Sequence, residues 1–188
     1  MFMKGVVSLA RKKRFWFPGA IFHITARGNR RQNIFLNDTD RVSYLNFLKE
    51  VKKVHGFKLH AYCLMSNHVH LIIEINDSPP SSILQQLHTK YSKYFNSKYE
   101  YTGHLFQGRY HDEIILNREY FLTACKYVHK NPERANLKRL LSNHLWTSHS
   151  AYINKELDPI VDTELLREYL MVTYEEFMKY HDVEDPAT

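Results

Sequence analysis

The stretch FKLHAYCLMSNHVHLIIEI, residues 57–75, consists of two apolar runs separated by the dipeptide Ser66-Asn67. Aromatic and β-branched residues are frequent in it, and Ser and Asn favour turns, so it predicts two antiparallel strands joined by a tight turn. The second strand carries His68 and His70, whose side chains share one face because they are two residues apart. A chain with 12 histidines contains a His-x-His about once by chance. The pair therefore suggests a metal site only if other parts of the chain supply further ligands.

The segments before this hairpin predict one strand and one helix. Residues 20–27 are rich in β-branched and aromatic side chains, as expected of a strand. Residues 37–56 begin with capping residues and end at Gly56, a residue type that commonly follows a helix. Apolar side chains follow the helical repeat in this segment at Val42, Leu45, Leu48, Val51 and Val54. The chain thus enters the hairpin through a strand and a helix.

The segments after the hairpin predict a helix, a strand and another helix. Capping-box spacing starts one helix at Ser82, and residues 111–116 are typical of a strand. The last helix runs from Asn117 to about Asn131, because Pro132 disfavours a helical conformation in the residue before it. The whole order is strand–helix–strand–strand–helix–strand–helix. It predicts an α+β fold, namely a ferredoxin-like antiparallel sheet covered by helices.

Charge divides the chain into a basic body and an acidic end. Residues 1–155 carry 24 Lys and Arg against 10 Asp and Glu, whereas residues 156–188 carry 2 against 10. We expect a basic domain over 1–155 and an acidic helical extension over 156–188. A basic surface attracts nucleic acid, and the 13 Tyr and 11 Phe offer stacking surfaces for unpaired bases. An ordinary solvated surface explains the charge equally well.

The sequence predicts neither a membrane span nor a secretion signal. No apolar run reaches the roughly 18 residues of a transmembrane helix, and the N-terminus lacks an apolar core followed by a small-residue cleavage site. Cys63 and Cys125 both lie in apolar contexts and are interpreted as core residues. We therefore expect a cytoplasmic protein with no membrane partner.

The last predicted helix carries residues that could complete a metal site on the hairpin. Tyr127 and Asn131 are four residues apart and project from one face of a helix. If that face packs beside the histidine strand, two imidazoles and an amide oxygen would surround a divalent cation, with a phenol next to it. A metal that activates a phosphodiester would let a tyrosine act as nucleophile although its pKa is about 10. Structural roles explain both residues as well, since Tyr127 borders an apolar sector and Asn131 can close the helix.

Five blocks of the sequence, in order and spacing, resemble the single-tyrosine HUH transposases. The resemblance covers about residues 14–153 and is strongest to the branch that includes the REP-associated tyrosine transposases. The blocks are FPGAIFHITARGNRRQNIF (17–35), HAYCLMSNHVHLIIE (60–74), GHLFQGRYH (103–111), YVHKNPERANL (127–137) and LWTSHSAY (145–152).

The resemblance implies a function and a set of site residues. His68, His70 and Asn131 would bind Mg²⁺ or Mn²⁺, and Tyr127 would be the catalytic nucleophile. Relatives cleave single-stranded DNA near imperfect hairpins through a 5′-phosphotyrosine intermediate and then rejoin the ends. The expected partner is therefore single-stranded DNA with hairpins. The protein would act as a monomer or a homodimer, with Tyr127 serving either its own histidines or those of a second subunit.

A basic loop after the first strand and one arginine further along are the expected DNA contacts. Guanidinium groups bind phosphates well, and no acidic residue adjoins the loop. Solvated loop residues, or pairing of the later arginine with Asp112 or Glu113, are the alternatives. We expect His23 and His60 to be hydrogen-bonded core or flanking residues rather than ligands. The expected DNA-binding residues are Arg27, Asn29, Arg30, Arg31 and Arg109.

Two other classes of function stay open at this point. A domesticated protein could bind single-stranded or hairpin DNA without catalytic turnover. A zinc hydrolase acting on small molecules would need ligands of the His-x-His-x-Asp-His kind, and Ile72 occupies the position of the Asp. The zinc hydrolase is therefore the weaker alternative.

Overall fold

A four-stranded antiparallel sheet with helices on both faces forms the centre of the protein. The computed structural model describes residues 15–134, 146–153 and 158–179. The sheet has the order β2-β3-β1-β4, and every neighbouring pair is antiparallel. This topology confirms the ferredoxin-like α+β fold expected from the order of elements. The strands are β1 (Ile21–Arg27), β2 (Lys58–Met65), β3 (His68–Glu74) and β4 (His111–Ile115).

Six helices are present in the described parts of the chain, three long and three short. The long ones are α1 (Asp38–His55), α2 (Pro80–Tyr99) and α3 (Arg118–Arg134). The short ones are α4 (His149–Ile153), α5 (Glu164–Tyr169) and α6 (Tyr174–Lys179). Helices α1 and α2 share one apolar cluster with one face of the sheet, whereas α3 and the three short helices share a second cluster with the other face.

Alternation along the strands decides which residues lie on which face. In β1, Phe22 and Ile24 are buried toward α1 and α2, so His23 and Thr25 belong to the face that carries α3. The register pairs Thr25 with His70, and the two side chains therefore lie on the same face. The face toward α3 is thus apolar at one end, where it includes Ile72, and polar at the other.

The buried stripe of α1 differs from the expected one. Val42 and Val54 are 46% and 68% exposed, whereas Tyr44, Leu48 and Val51 are fully buried. Residues 44, 48 and 51 follow the helical repeat, and residue 42 lies on nearly the opposite side of the helix. The prediction counted aliphatic residues only and missed that a tyrosine begins the buried face.

Two helix ends also differ from the prediction. Helix α2 begins at Pro80, not Ser82, because proline already has the φ angle of a first helical residue. Helix α3 continues through Pro132 to Arg134, although it was expected to end at about Asn131. The conformational preference of a residue before proline is modest. At Asn131 it is outweighed by contacts with the histidines of β3, described below.

The acidic extension packs against the body of the protein within the part that the structure describes. Asp162 accepts hydrogen bonds from Lys52 Nζ at 2.5 Å and from the backbone N–H of Leu59 at 2.8 Å. The predicted domain boundary between residues 155 and 156 lies outside the described residues. In the ranges that are described, no helix combines the length and the apolar character needed to cross a bilayer.

His88 on α2 provides a test of how burial couples stability to pH. Its ring stacks on Phe106, with centroids 4.1 Å apart, and burial lowers the pKa of His88 to about 3. The folded state therefore keeps this imidazole neutral below pH 6.5, while the unfolded chain takes up the proton. We expect the free energy of unfolding to fall by about 1.4 kcal/mol per pH unit from this group as the pH decreases from about 6.5 toward 3.

Urea unfolding measured at several pH values in that window checks this expectation. His88→Gln should unfold with a shallower pH dependence than the wild type. His104→Gln, at an exposed loop position, is the matched control and should keep the wild-type slope. An unchanged slope in His88→Gln would show that the group is not held neutral.

Candidate active site

A cavity of about 410 Å³ opens on the polar end of the sheet face that carries α3. Strands β1, β3 and β4, helix α3 and the loop before β4 all contribute to its wall. Five of the residues expected to be functional line it, namely Arg27, His68, His70, Arg109 and Tyr127. The other lining residues are His23, Thr25, Gln107, His111, Glu113, Tyr120 and Ala124.

His70 is held by side chains on both sides of its ring. Its Nδ1 lies 3.0 Å from His23 Nε2 and 3.2 Å from Thr25 Oγ1, and its Nε2 lies 3.3 Å from the amide nitrogen of Asn131. The side chain is almost fully buried, with 5% exposed. These contacts fix the ring orientation and leave Nε2 facing helix α3.

Asn131 lies between the two histidines of β3. Its amide also hydrogen-bonds His68, whose Nδ1 in turn lies 2.6 Å from Asn67 Oδ1. The rings of His68 and His70 are 5.0 Å apart and nearly perpendicular. Rotating the amide by half a turn exchanges its nitrogen and oxygen, so an amide oxygen can face the imidazoles. Two imidazole nitrogens and one amide oxygen can therefore converge on one point.

Tyr127 stands beside this group. Its ring centroid lies 5.5 Å from that of His70 and 5.9 Å from that of His23, in edge-on geometry. Phe121, Ala124 and Val128 bury the neighbouring face of α3 against the sheet, while Tyr127 is half-buried at its margin. All these contacts occur within one chain.

Both histidines of the pair are neutral at physiological pH. Burial, together with the positive charge of Arg27, lowers the pKa of His68 to about 4. Burial also holds the pKa of His70 well below its usual range, and the neighbouring His23 and His68 add to the effect. Neutral imidazoles have a free lone pair, which is the form that binds metal ions.

His68, His70 and Asn131 offer nitrogen and oxygen ligands that fit a divalent cation. Among the described residues there is no group of three or more His, Cys, Asp or Glu that could hold a metal ion. The expected set contains only two such residues, because its third member is the amide of Asn131. The amide oxygen is a ligand of the kind that Mg²⁺ and Mn²⁺ prefer, and imidazole is a common ligand of divalent transition-metal ions.

The expected DNA-binding residues fall into two places. Arg27 and Arg109 line the cavity, whereas the stretch Asn29–Arg31 forms a short 3₁₀ turn at the end of β1. Arg30 and Arg31 are exposed and have left-handed φ angles of 51° and 61°. Non-glycine residues adopt this conformation at a cost, which suggests a functional constraint on the turn.

Backbone contacts tie this turn to the loop that precedes β4. The N–H of Asn29 donates to the carbonyl of Leu105 at 2.8 Å, and Gly28 forms a β-bridge with Phe106. A Cβ at Gly28 would lie 2.2 Å from the backbone oxygen of Gln32, so only glycine fits. The two loops are thus one surface beside the cavity.

Several cavity residues were not identified from the sequence as parts of a site. His23 flanks His70, as one of the expectations for it had allowed. His60 is a buried strand residue whose Nε2 donates to Glu74 Oε2 at 3.0 Å. Thr25 was not considered at all. The alternation His23, Thr25, Arg27 could have indicated a polar face of β1, but only the register with β3 shows that this face is shared with the histidine pair.

Comparisons with known proteins concern the family and the fold of the chain. The family model described as "Transposase IS200 like" matches residues 17–131. No curated protein matches the chain. The solved structure of a REP-associated tyrosine transposase bound to a REP hairpin matches with a TM-score of 0.66 and 18% identity, over 82% of this chain and 93% of that chain. A protein from Deinococcus radiodurans R1, described provisionally as a transposase, matches at 16% identity over 71% of this chain and 97% of that chain, with a TM-score of 0.45.

Proposed function

The chain belongs to the IS200-like family of single-tyrosine HUH transposases, and from this premise we propose that it cleaves and rejoins single-stranded DNA near hairpins through a 5′-phosphotyrosine intermediate. The family acts in DNA transposition and generally depends on a divalent metal ion. The observation that carries the proposal is the convergence of Tyr127, His68 and His70 at one cavity, with the amide of Asn131 in contact with both histidines.

The proposed roles of these residues follow from their chemistry. A divalent cation would be held by His68, His70 and Asn131, and when bound it would neutralise charge on a phosphodiester. Tyr127 would attack the phosphorus through its phenolic oxygen. A new O–P bond forms, the bond from phosphorus to the 3′-oxygen breaks, and the proton lost by the phenol is balanced by the one gained at the free 3′-hydroxyl. The reverse attack by a 3′-hydroxyl rejoins strands.

The surroundings of the cavity suit a DNA strand. Arg27 and Arg109 line it, and the exposed pair Arg30 and Arg31 adjoins it through the turn after β1. Arginine binds phosphate with two parallel hydrogen bonds, which positions a backbone without reading its sequence. A hairpin as the preferred partner is proposed because the similar REP-associated transposase is bound to one.

A covalent-adduct assay tests the function. The protein would be mixed with Mn²⁺ and a pool of DNA hairpins with randomised single-stranded flanks, and the products separated under denaturing conditions. We expect a DNA–protein species that survives denaturation and a shortened strand with a free 3′-hydroxyl. Hairpin binding with no adduct from any member of the pool would instead favour a binding protein without turnover.

The arginine pair should contribute to affinity through charge. Each lost phosphate contact on single-stranded DNA reduces the slope of log affinity against log salt by about 0.7. We expect the double variant Arg30→Ala, Arg31→Ala to bind single-stranded DNA more weakly than the wild type at low salt. Its slope of log affinity against log salt should be smaller in magnitude than that of the wild type by about 1.4. Fluorescence anisotropy at several salt concentrations measures both quantities.

A charge-matched control distinguishes local contact from overall charge. Lys49→Ala, Lys53→Ala removes two exposed cations from α1, which covers the other face of the sheet. This variant should keep the wild-type slope. Equal effects of the two double variants would mean that the turn has no specific contact with DNA.

A further inference from the structure

We infer that a second cavity, beside the candidate active site, binds an unpaired nucleobase of the DNA strand that Tyr127 cleaves. The inference rests on the proposed function, because it assigns a position to a part of the same substrate. The cavity has a volume of about 820 Å³ and lies between α2 and the loop that precedes β4. This size is within the roughly 300 to 1,000 Å³ of pockets that hold small organic ligands.

The two cavities are neighbours along one possible strand path. Arg109 lines both of them, and the adjoining residues of its loop, Gly108 and Tyr110, line the second. A phosphate held near Arg109 would therefore have one flanking nucleotide on the side of Tyr127 and the other on the side of α2.

The charge of the second cavity suits a polyanion. Lys93 and Arg109 are basic residues in its lining, and none of the described residues that line it is acidic. A base that enters the cavity brings its own phosphates to the rim, where cations are needed. A small anionic or cationic metabolite would find fewer matching groups, because much of the remaining wall is apolar or carries neutral hydrogen-bonding groups.

Flat rings in the wall offer a surface for a base. The rings of His88 and Phe106 are stacked, with an interplanar angle of 18°, and both residues line the cavity. Stacking on aromatic side chains is the usual way in which proteins hold unpaired bases, and it tolerates every base.

Two polar atoms of the lining residues still have hydrogen-bonding capacity. His88 Nε2 and Asn96 Oδ1 are buried and have no hydrogen-bond partner, while Asn96 Nδ2 donates to the carbonyl of Gly103 at 3.2 Å. A buried polar atom without a partner destabilises a protein by about 1 to 3 kcal/mol. The edge of a nucleobase carries both donors and acceptors, so a bound base would supply partners to these atoms on rotation of the two side chains toward the cavity.

An abasic scan of the substrate tests the inference. A hairpin that gives a Tyr127-dependent adduct would be synthesised with a single abasic site at each flanking position in turn. We expect one position at which loss of the base weakens binding to the wild type about tenfold or more. In Ser92→Phe, which places a ring in the cavity from α2, binding should be weaker and that position should no longer matter.

Ser97→Phe provides the matched control, because this residue is exposed on the same helix and does not line the cavity. It should show the wild-type abasic profile. A photoreactive 5-iodouracil at the sensitive position should also crosslink to the peptide that contains Phe106.

The outcomes separate this inference from the proposed function. If adducts form but Ser92→Phe keeps the wild-type abasic profile, the second cavity is not a base site and the proposed function is unaffected. If no position is sensitive in the wild type, the inference is likewise overturned. If no DNA forms an adduct with the wild type, the proposed function fails, and this inference fails with it.

Discussion

Tyr127→Phe is expected to abolish the covalent DNA–protein adduct and to lower the rate of strand cleavage roughly 10³-fold or more, as removal of a covalent nucleophile does in other enzymes. Hairpin affinity should change little, because the phenylalanine ring keeps the edge-on packing of Tyr127 against His70 and His23. Cleavage is measured under single-turnover conditions and affinity by anisotropy, so that chemistry and binding are separated.

Tyr120→Phe is the matched control for this experiment. Tyr120 lines the same cavity and lies two helical turns before Tyr127 on α3. Removal of the Tyr120 hydroxyl should leave adduct formation unchanged. If the adduct disappears in Tyr120→Phe and persists in Tyr127→Phe, the assignment of the nucleophile is wrong, although the function is not.

Loss of a single ligand should lower the affinity for Mn²⁺ at least about 100-fold, which is the upper end of the effect of removing an outer partner of a metal ligand. His68→Ala and Asn131→Leu each remove one of the three proposed ligands, which contact one another beside the cavity. Asn131→Asp should bind the ion as well as the wild type or better, because a carboxylate retains a ligand oxygen. Isothermal titration with Mn²⁺ in the absence of DNA measures the affinity independently of activity.

His111→Ala is the control for metal binding. His111 lines the cavity from β4, opposite Thr25 in the sheet, but belongs to none of the contacts around Asn131. It should bind Mn²⁺ like the wild type. An equal loss of affinity in His111→Ala would place the ion nearer β4 than the three proposed ligands.

Local pattern was enough to predict most of the fold. The hairpin at 57–75 and helix α1 with its caps were readable because turn residues and the capping of Asn37 and Gly56 act within a few residues. The order of elements then leaves few topologies for the sheet. Errors occurred where a neighbour in space decides the outcome, as for the buried Tyr44 in α1 and for the passage of α3 through Pro132.

For the candidate site, too, the sequence determined one part and the tertiary structure decided the other. Residue identity and spacing determined that His68 and His70 share a face, and that Tyr127 and Asn131 share another. Only the tertiary structure decided that the two faces meet, that β1 brings His23 and Thr25 beside His70, and that a second cavity adjoins the first at Arg109. Side-chain direction along one strand or helix is set by its own backbone geometry, whereas the packing of α3 on the sheet depends on contacts between residues about 60 positions apart in the chain.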